Sequence, residues 1–326
     1  MFEDVQSFPF LGLTVYAYGL FVSLGAALWV VLLLLLAKKK KLSGDAVLLA
    51  ATLSIPLGLV FGRLVFCLVN LGYYLEQIGQ PAAMLYFWDG GFSMMGALMG
   101  AGLAAVIAAK VKRVRLGSLL DLMAVSAGAF IALARLGEIY TVLGRGRSIE
   151  AEWMRQSPFF GIQETWSDDV FQAVFRYEAA AAVLLLAVMV ILFLGKKAGA
   201  AKPGDLALVF ITLFGSAQVV LESLRDDRHL LLGFVRASQI ISILLPVAAI
   251  AVFSIRVIRR EGLRGGVIAA WLIAAAAIVL AVVKEFAVDT SDNLTREYLM
   301  MSFAMAALAA AALFLWERTK RDQLQA

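Results

Sequence analysis

The sequence predicts an all-α protein that crosses a membrane many times, and three observations carry that prediction. Hydrophobic residues make up 62% of the 326-residue chain against 16% charged, and the mean hydropathy is +0.87. The apolar residues fall into nine runs, each close to or above the ~18 residues needed to cross the hydrocarbon core. Lysine and arginine gather in every second connection between those runs, the asymmetry that orients membrane helices.

The predicted helices cover residues 12–37, 46–70, 90–109, 117–136, 178–195, 205–222, 239–255, 267–283 and 298–316. The first run is closed by Lys38 to Lys41, and the third by Lys110, Lys112, Arg113 and Arg115. The fifth is followed by Lys196, Lys197 and Lys202, the seventh by Arg256, Arg259, Arg260 and Arg264, and the ninth by Arg318, Lys320 and Arg321. These are 18 of the 29 basic residues, which places the N-terminus outside and the C-terminus in the cytoplasm. The opening Met-Phe-Glu-Asp and the long first run are not the pattern of a cleaved secretory signal.

The second helix carries Gly58 and Gly62, and the third carries Gly96 and Gly100, two GxxxG pairs that favour tight helix packing. Gly90 and Gly91 at the start of the third helix are positioned to expose backbone amides to an anionic headgroup. The connection 137–177 is too long and too mixed for a turn. Its Trp153, Phe159, Phe160 and Trp166 among charges read as a small amphipathic cap on the outer surface. The last two helices follow an arginine-rich stretch and read as an appended hairpin, giving a core of 1–255 and an addition of 256–326. With one cysteine, Cys67, and one histidine, neither an internal disulfide nor a metal site is expected, and no cofactor is implied. The net charge of +5 follows from the cytoplasmic anchoring loops and does not call for nucleic acid.

Charge inside apolar runs is the signal for function. Arg63, Arg135, Glu178, Glu222 and Arg225 lie within or at the edge of predicted spans, all toward the outer end. An ionised group near the bilayer centre costs roughly 2.5 kcal/mol or more, so such groups pair, line a cavity or do chemistry. Tyr18, Ser93, Glu138 and Gln239 share that depth. Phospholipid headgroups occupy it too, and arginine suits bidentate phosphate binding. The plain alternative is that arginine and glutamate simply stitch helices together.

Seven stretches at this depth together resemble the bacterial prolipoprotein diacylglyceryl transferase family. They are TVYAYGL at 14–20, FGRL at 61–64, WDGGFSMMGALMG at 88–100, ARLGEIYTVLGRGR at 134–147, YE at 177–178, LFGSAQVVLESLRD at 213–226 and LGFVRASQIIS at 232–242. The resemblance spans about 12–255 and implies a seven-helix transferase-like core in a bacterial cytoplasmic membrane. It implies diacylglyceryl transfer from phosphatidylglycerol to a cysteine thiol in the lipobox of a secreted lipoprotein precursor, releasing glycerol phosphate. By resemblance Arg135 holds the phosphate and Tyr18 donates a hydrogen bond nearby, with Arg63, Glu178, Glu222 and Arg225 framing the pocket.

Four positions depart from the family pattern. Met95 stands where the family places a histidine, Glu138 replaces an asparagine, Leu143 a glutamate and Gln218 an arginine. Methionine takes no proton, so the base for the thiol (ordinary pKa ~8.5) must come from elsewhere. Glu138, Glu178 and the loop residue His229 are the substitutes, and Glu138 otherwise only neutralises Arg135. The candidate catalytic residues are thus Glu138, Tyr18 and Arg135. Arg63, Ser93, Met95, Glu178, Gln218, Glu222, Arg225 and Gln239 are candidates for substrate binding. Two other readings stand beside the enzyme: a non-catalytic relative that binds lipid or lipoprotein, and a solute transporter using the arginine–glutamate pairs.

Overall fold

The computed structural model describes residues 6–10, 12–163, 168–195, 201–226, 230–232 and 235–320. Among them, nine helices are long and apolar enough to cross a membrane. They are α1 (Ala17–Lys40), α2 (Gly44–Val69), α3 (Met94–Lys112), α4 (Leu116–Gly137), α6 (Val174–Leu194), α7 (Asp205–Ser223), α8 (Ala237–Glu261), α9 (Gly265–Val288) and α10 (Leu294–Lys320). A tenth, α5 (Glu152–Arg155), is a single turn outside the spans. Unbroken helix is what an apolar solvent demands, since every backbone N–H and C=O must find its partner within the segment. The outward faces are correspondingly greasy, with Leu68, Ile191, Leu272 and Phe303 all at least 60% exposed.

The expected spans are found, with shifted starts. Residues 12–16 do not begin α1: β1 (Ser7–Phe10) and β2 (Leu13–Tyr16) pair antiparallel, Phe8 opposite Val15, and Gly12 turns between them with φ +79°. Thr14 and Val15 are β-branched, which favours the strand over a helix start. Helix α3 begins at Met94 rather than at Gly90, because Gly90 and Gly91 both adopt positive φ and Ser93 caps the helix through the Gly96 amide. The amides of that pair are therefore not a helix N-terminus.

Helix α4 is the centre of the bundle, packed between α1, α6 and α7, and α7 in turn packs on α8 and α10. The most extensive helix pair is α2 with α3. A Cβ added to Gly96 would sit 2.3 Å from the Phe61 carbonyl oxygen, and one on Gly100 at 2.3 Å from that of Leu57. The second glycine pair thus permits backbone contact that an alanine would block, the packing role expected for it.

One end of the bundle gathers the basic helix termini. Lys112 pairs with Asp45, Lys40 lies over the Phe193 ring, Arg256 binds Asp205, and Arg318 binds Glu261. Lysine and arginine in a last turn also complement the helix dipole. Carboxylates also lie among the spans at this end. Asp121 of α4 accepts the Gly204 and Ala207 amides at 2.8 and 2.9 Å, capping α7. Asp205, 1% exposed, accepts from Arg256 and the Trp316 indole and so ties α7 to α8 and α10.

At the opposite end lie the connections 70–93 and 138–173. The second folds into α5 and an antiparallel pair, β3 (Gly161–Gln163) with β4 (Val170–Gln172). Rings of Trp153, Phe159, Phe160 and Tyr177 stack edge to face or tilted beneath it. Trp166 lies outside the described residues, as does His229. A short antiparallel pair, β5 (Leu231–Leu232) with β6 (Val235–Arg236), leads into α8.

Candidate functional site

Three helices end or begin together on the side away from the basic termini, and each brings charge. Arg135 ends α4, and Glu138 sits in the 3-10 turn that follows, Glu138–Tyr140. Glu178 lies in the first turns of α6. Gln218 and Glu222 lie one turn apart on α7, with Arg225 just beyond its end. All six side chains are buried.

Glu178 is the hub. One carboxylate oxygen lies 3.2 Å from Arg135 Nη2 and the other 3.2 Å from Arg225 Nη1. Gln218 Nε2 donates to Glu178 at 2.8 Å and to Glu222 at 3.0 Å, bridging the two carboxylates. Arg135 Nη1 donates to Glu138 Oε1 at 2.6 Å, and its Nη2 lies 4.0 Å from Glu222. Buried charges tolerate low dielectric only when mutually paired in this way.

Glu138 has the one carboxylate oxygen of the cluster left over. Among the described residues its Oε2 accepts no hydrogen bond, and Arg225 Nη2 lies 3.7 Å away. It faces Gly144, whose φ is +70° and where an added Cβ would lie 2.3 Å from that same oxygen. Tyr18 stands beside the cluster, within the electrostatic influence of Glu138, Arg135 and Arg225. Its ring is seated against Gly137.

Other expected residues are engaged locally. Arg63 donates to the carbonyls of Ala83 and Met84, each at 2.9 Å, of Gly91 at 3.3 Å, and of Gly90. Its guanidinium also lies over the rings of Phe66 and Tyr74. It holds the 81–91 connection against α2. Ser93 caps α3, and Met95 is packed into the apolar core at 3% exposure. Gln239 binds the Arg236 amide and the Val219 carbonyl, fastening α8 to α7. Arg236 escaped the sequence reasoning although it stands within the quoted stretch 232–242. It is buried and donates to the Arg225 carbonyl at 2.7 Å, which fixes the segment carrying that guanidinium. It stands ahead of the predicted helix 239–255, outside the apolar run whose interrupting charges are the signal.

The cluster is thus not simply rich in cations. Arg135 and Arg225 are already matched by carboxylates, and an entering anion must exchange with them.

The family model for prolipoprotein diacylglyceryl transferase matches residues 6–255. Similar proteins include the phosphatidylglycerol–prolipoprotein diacylglyceryl transferase of Bacillus licheniformis, 28% identical over 247 residues, or 75% of this chain and 89% of the relative. The protein of the same name from Trichormus variabilis is 30% identical over 239 residues, covering 71% and 82% respectively. That of Pediococcus pentosaceus is 25% identical over 256 residues, covering 78% and 89%. With the match extending from β1 to within α8 and so through the whole charged cluster, this chain is a member of the prolipoprotein diacylglyceryl transferase family.

Proposed function

We propose that this chain transfers a diacylglyceryl group from phosphatidylglycerol, or a related anionic phospholipid, to the thiol of a lipobox cysteine in a lipoprotein precursor. The observation that carries the reading is the family match running through residues whose side chains converge at headgroup depth, Arg135, Glu138, Glu178, Glu222 and Arg225. The basic helix ends face the cytoplasm of a bacterial cell and the cluster faces outward, where secreted precursors arrive.

Chemically, the thiol gives its proton to Glu138 Oε2, the carboxylate oxygen of the cluster that accepts no hydrogen bond among the described residues. The thiolate sulfur attacks the glyceryl carbon that bears the phosphate. A C–S bond forms, the C–O bond breaks, and the electron pair leaves on the phosphate oxygen as glycerol phosphate. Arg135 and Arg225 take up the charge developing there, and Tyr18 donates a hydrogen bond at the edge of the site. Purified protein in phosphatidylglycerol nanodiscs with a lipobox peptide should release glycerol phosphate and add a diacylglyceryl mass to the peptide. No product under conditions where a relative from Bacillus licheniformis turns over would defeat this reading.

Packing of Met95 in the apolar core favours a second reading, in which the chain binds lipid or precursor without turning it over. The pair Met95→His and Gln218→Arg separates the two. Activity arising only in the double variant marks a lapsed enzyme, whereas activity in the unaltered chain does not.

A further inference from the structure

Helices α9 and α10 lie beyond the residues that the family model matches, yet they touch the segment that carries Arg225. The Tyr298 hydroxyl, in the first turns of α10, donates to the Ser223 carbonyl at 3.1 Å. Ser223 is the last residue of α7, between Glu222 and Arg225. The other side of the segment is held through the cap. Gly146 pairs with Arg225 in an antiparallel bridge, and the Asp226 amide donates to the Arg145 carbonyl at 2.8 Å. The adjacent Arg147 donates to Asp289 at 2.7 Å and to the Val288 carbonyl at 3.3 Å, both at the end of α9.

The hairpin end making these contacts is itself stiff. Glu297, 1% exposed, is bound by Lys284 at 2.8 Å, by Arg296 at 2.6 and 2.9 Å, and by Ser291 at 3.3 Å. Greasy faces keep two extra helices in a bilayer, and close packing alone could seat them beside α7 and α8. Neither would require a polar grip on both sides of one arginine.

We infer that the α9–α10 hairpin positions Arg225 and Glu222, with Tyr298 and the Arg147–Asp289 pair as its positioning residues. The inference rests on the transferase reading for its effect on turnover, but not for its effect on local order. The experiment uses the full chain in phosphatidylglycerol nanodiscs, measuring steady-state kinetics with a lipobox peptide and amide hydrogen exchange of residues 222–226.

Tyr298→Phe, which removes only the hydroxyl, should speed that exchange and lower kcat about fivefold, with KM held within about a factor of two, as expected for one hydrogen bond lost to a misplaced reacting group. Asp289→Arg should act in the same direction, and adding Arg147→Asp should restore the lost turnover. Unchanged exchange at 222–226, or faster exchange with kcat per folded molecule intact, overturns the inference. Should the unaltered chain itself be inert, the transferase reading fails, and exchange alone then decides whether the hairpin orders this segment.

Discussion

Glu138 Oε2 owes its place to a glycine. With any side chain at position 144, the oxygen that faces it would be displaced or covered. Glu138→Gln keeps the shape and the contact with Arg135 but removes the proton acceptor. Turnover should fall by about 10²–10⁴-fold while the protein folds normally, measured as glycerol phosphate release. Gly144→Ala should reduce activity as well, through strain at positive φ and the clash together. The sequence showed which charges share a depth, because an ion in hydrocarbon is rare enough to stand out. It did not show which way each side chain turns about its helix. Arg63 and Arg135 looked equivalent by depth, yet one grips backbone carbonyls and the other grips carboxylates.

Elements were legible by length and composition, and their ends were not. Residues 12–16 and 90–93 are apolar enough to extend a span, but β-branched residues and positive-φ glycines decide their backbone. The two glycine pairs, indistinguishable as motifs, separate on distance. A Cβ on Gly58 would find its nearest neighbour at 3.6 Å, whereas one on Gly100 would meet a carbonyl oxygen at 2.3 Å. Gly58→Ala should therefore change stability by no more than about 0.5 kcal/mol and Gly100→Ala should cost about 2 kcal/mol or more, read as thermal midpoints in detergent. Asp205→Ala removes the acceptor shared by Arg256 and Trp316 and should cost about 1–3 kcal/mol, leaving turnover per folded molecule unchanged because it lies at the other end of the bundle.

For the whole molecule, the uneven spread of lysine and arginine sets the expected orientation. In a Cys67→Ser background, Asp168→Cys should react with a membrane-impermeant maleimide on intact cells, and Lys39→Cys only after lysis. The reverse pattern would invert the topology. Convergence of distant stretches was foreseen from the alternation of spans, since every second crossing returns the chain to the same face. The internal pairing of the cluster was one of two open readings, because it depends on sub-ångström geometry that spacing along a chain does not encode.

That pairing changes what recognition has to be. Every strong ligand for a phosphate is, at rest, already coordinated from within, so an arriving lipid acts as a competitor rather than as a guest. Affinity and rate should then move in opposite directions: Glu178→Gln, which loosens the hold on both guanidiniums, should bind phosphatidylglycerol more tightly and turn it over more slowly. A selective grip would arise because only an anion able to displace a carboxylate gains entry, and ordinary zwitterionic lipids in large excess would be turned away at the threshold.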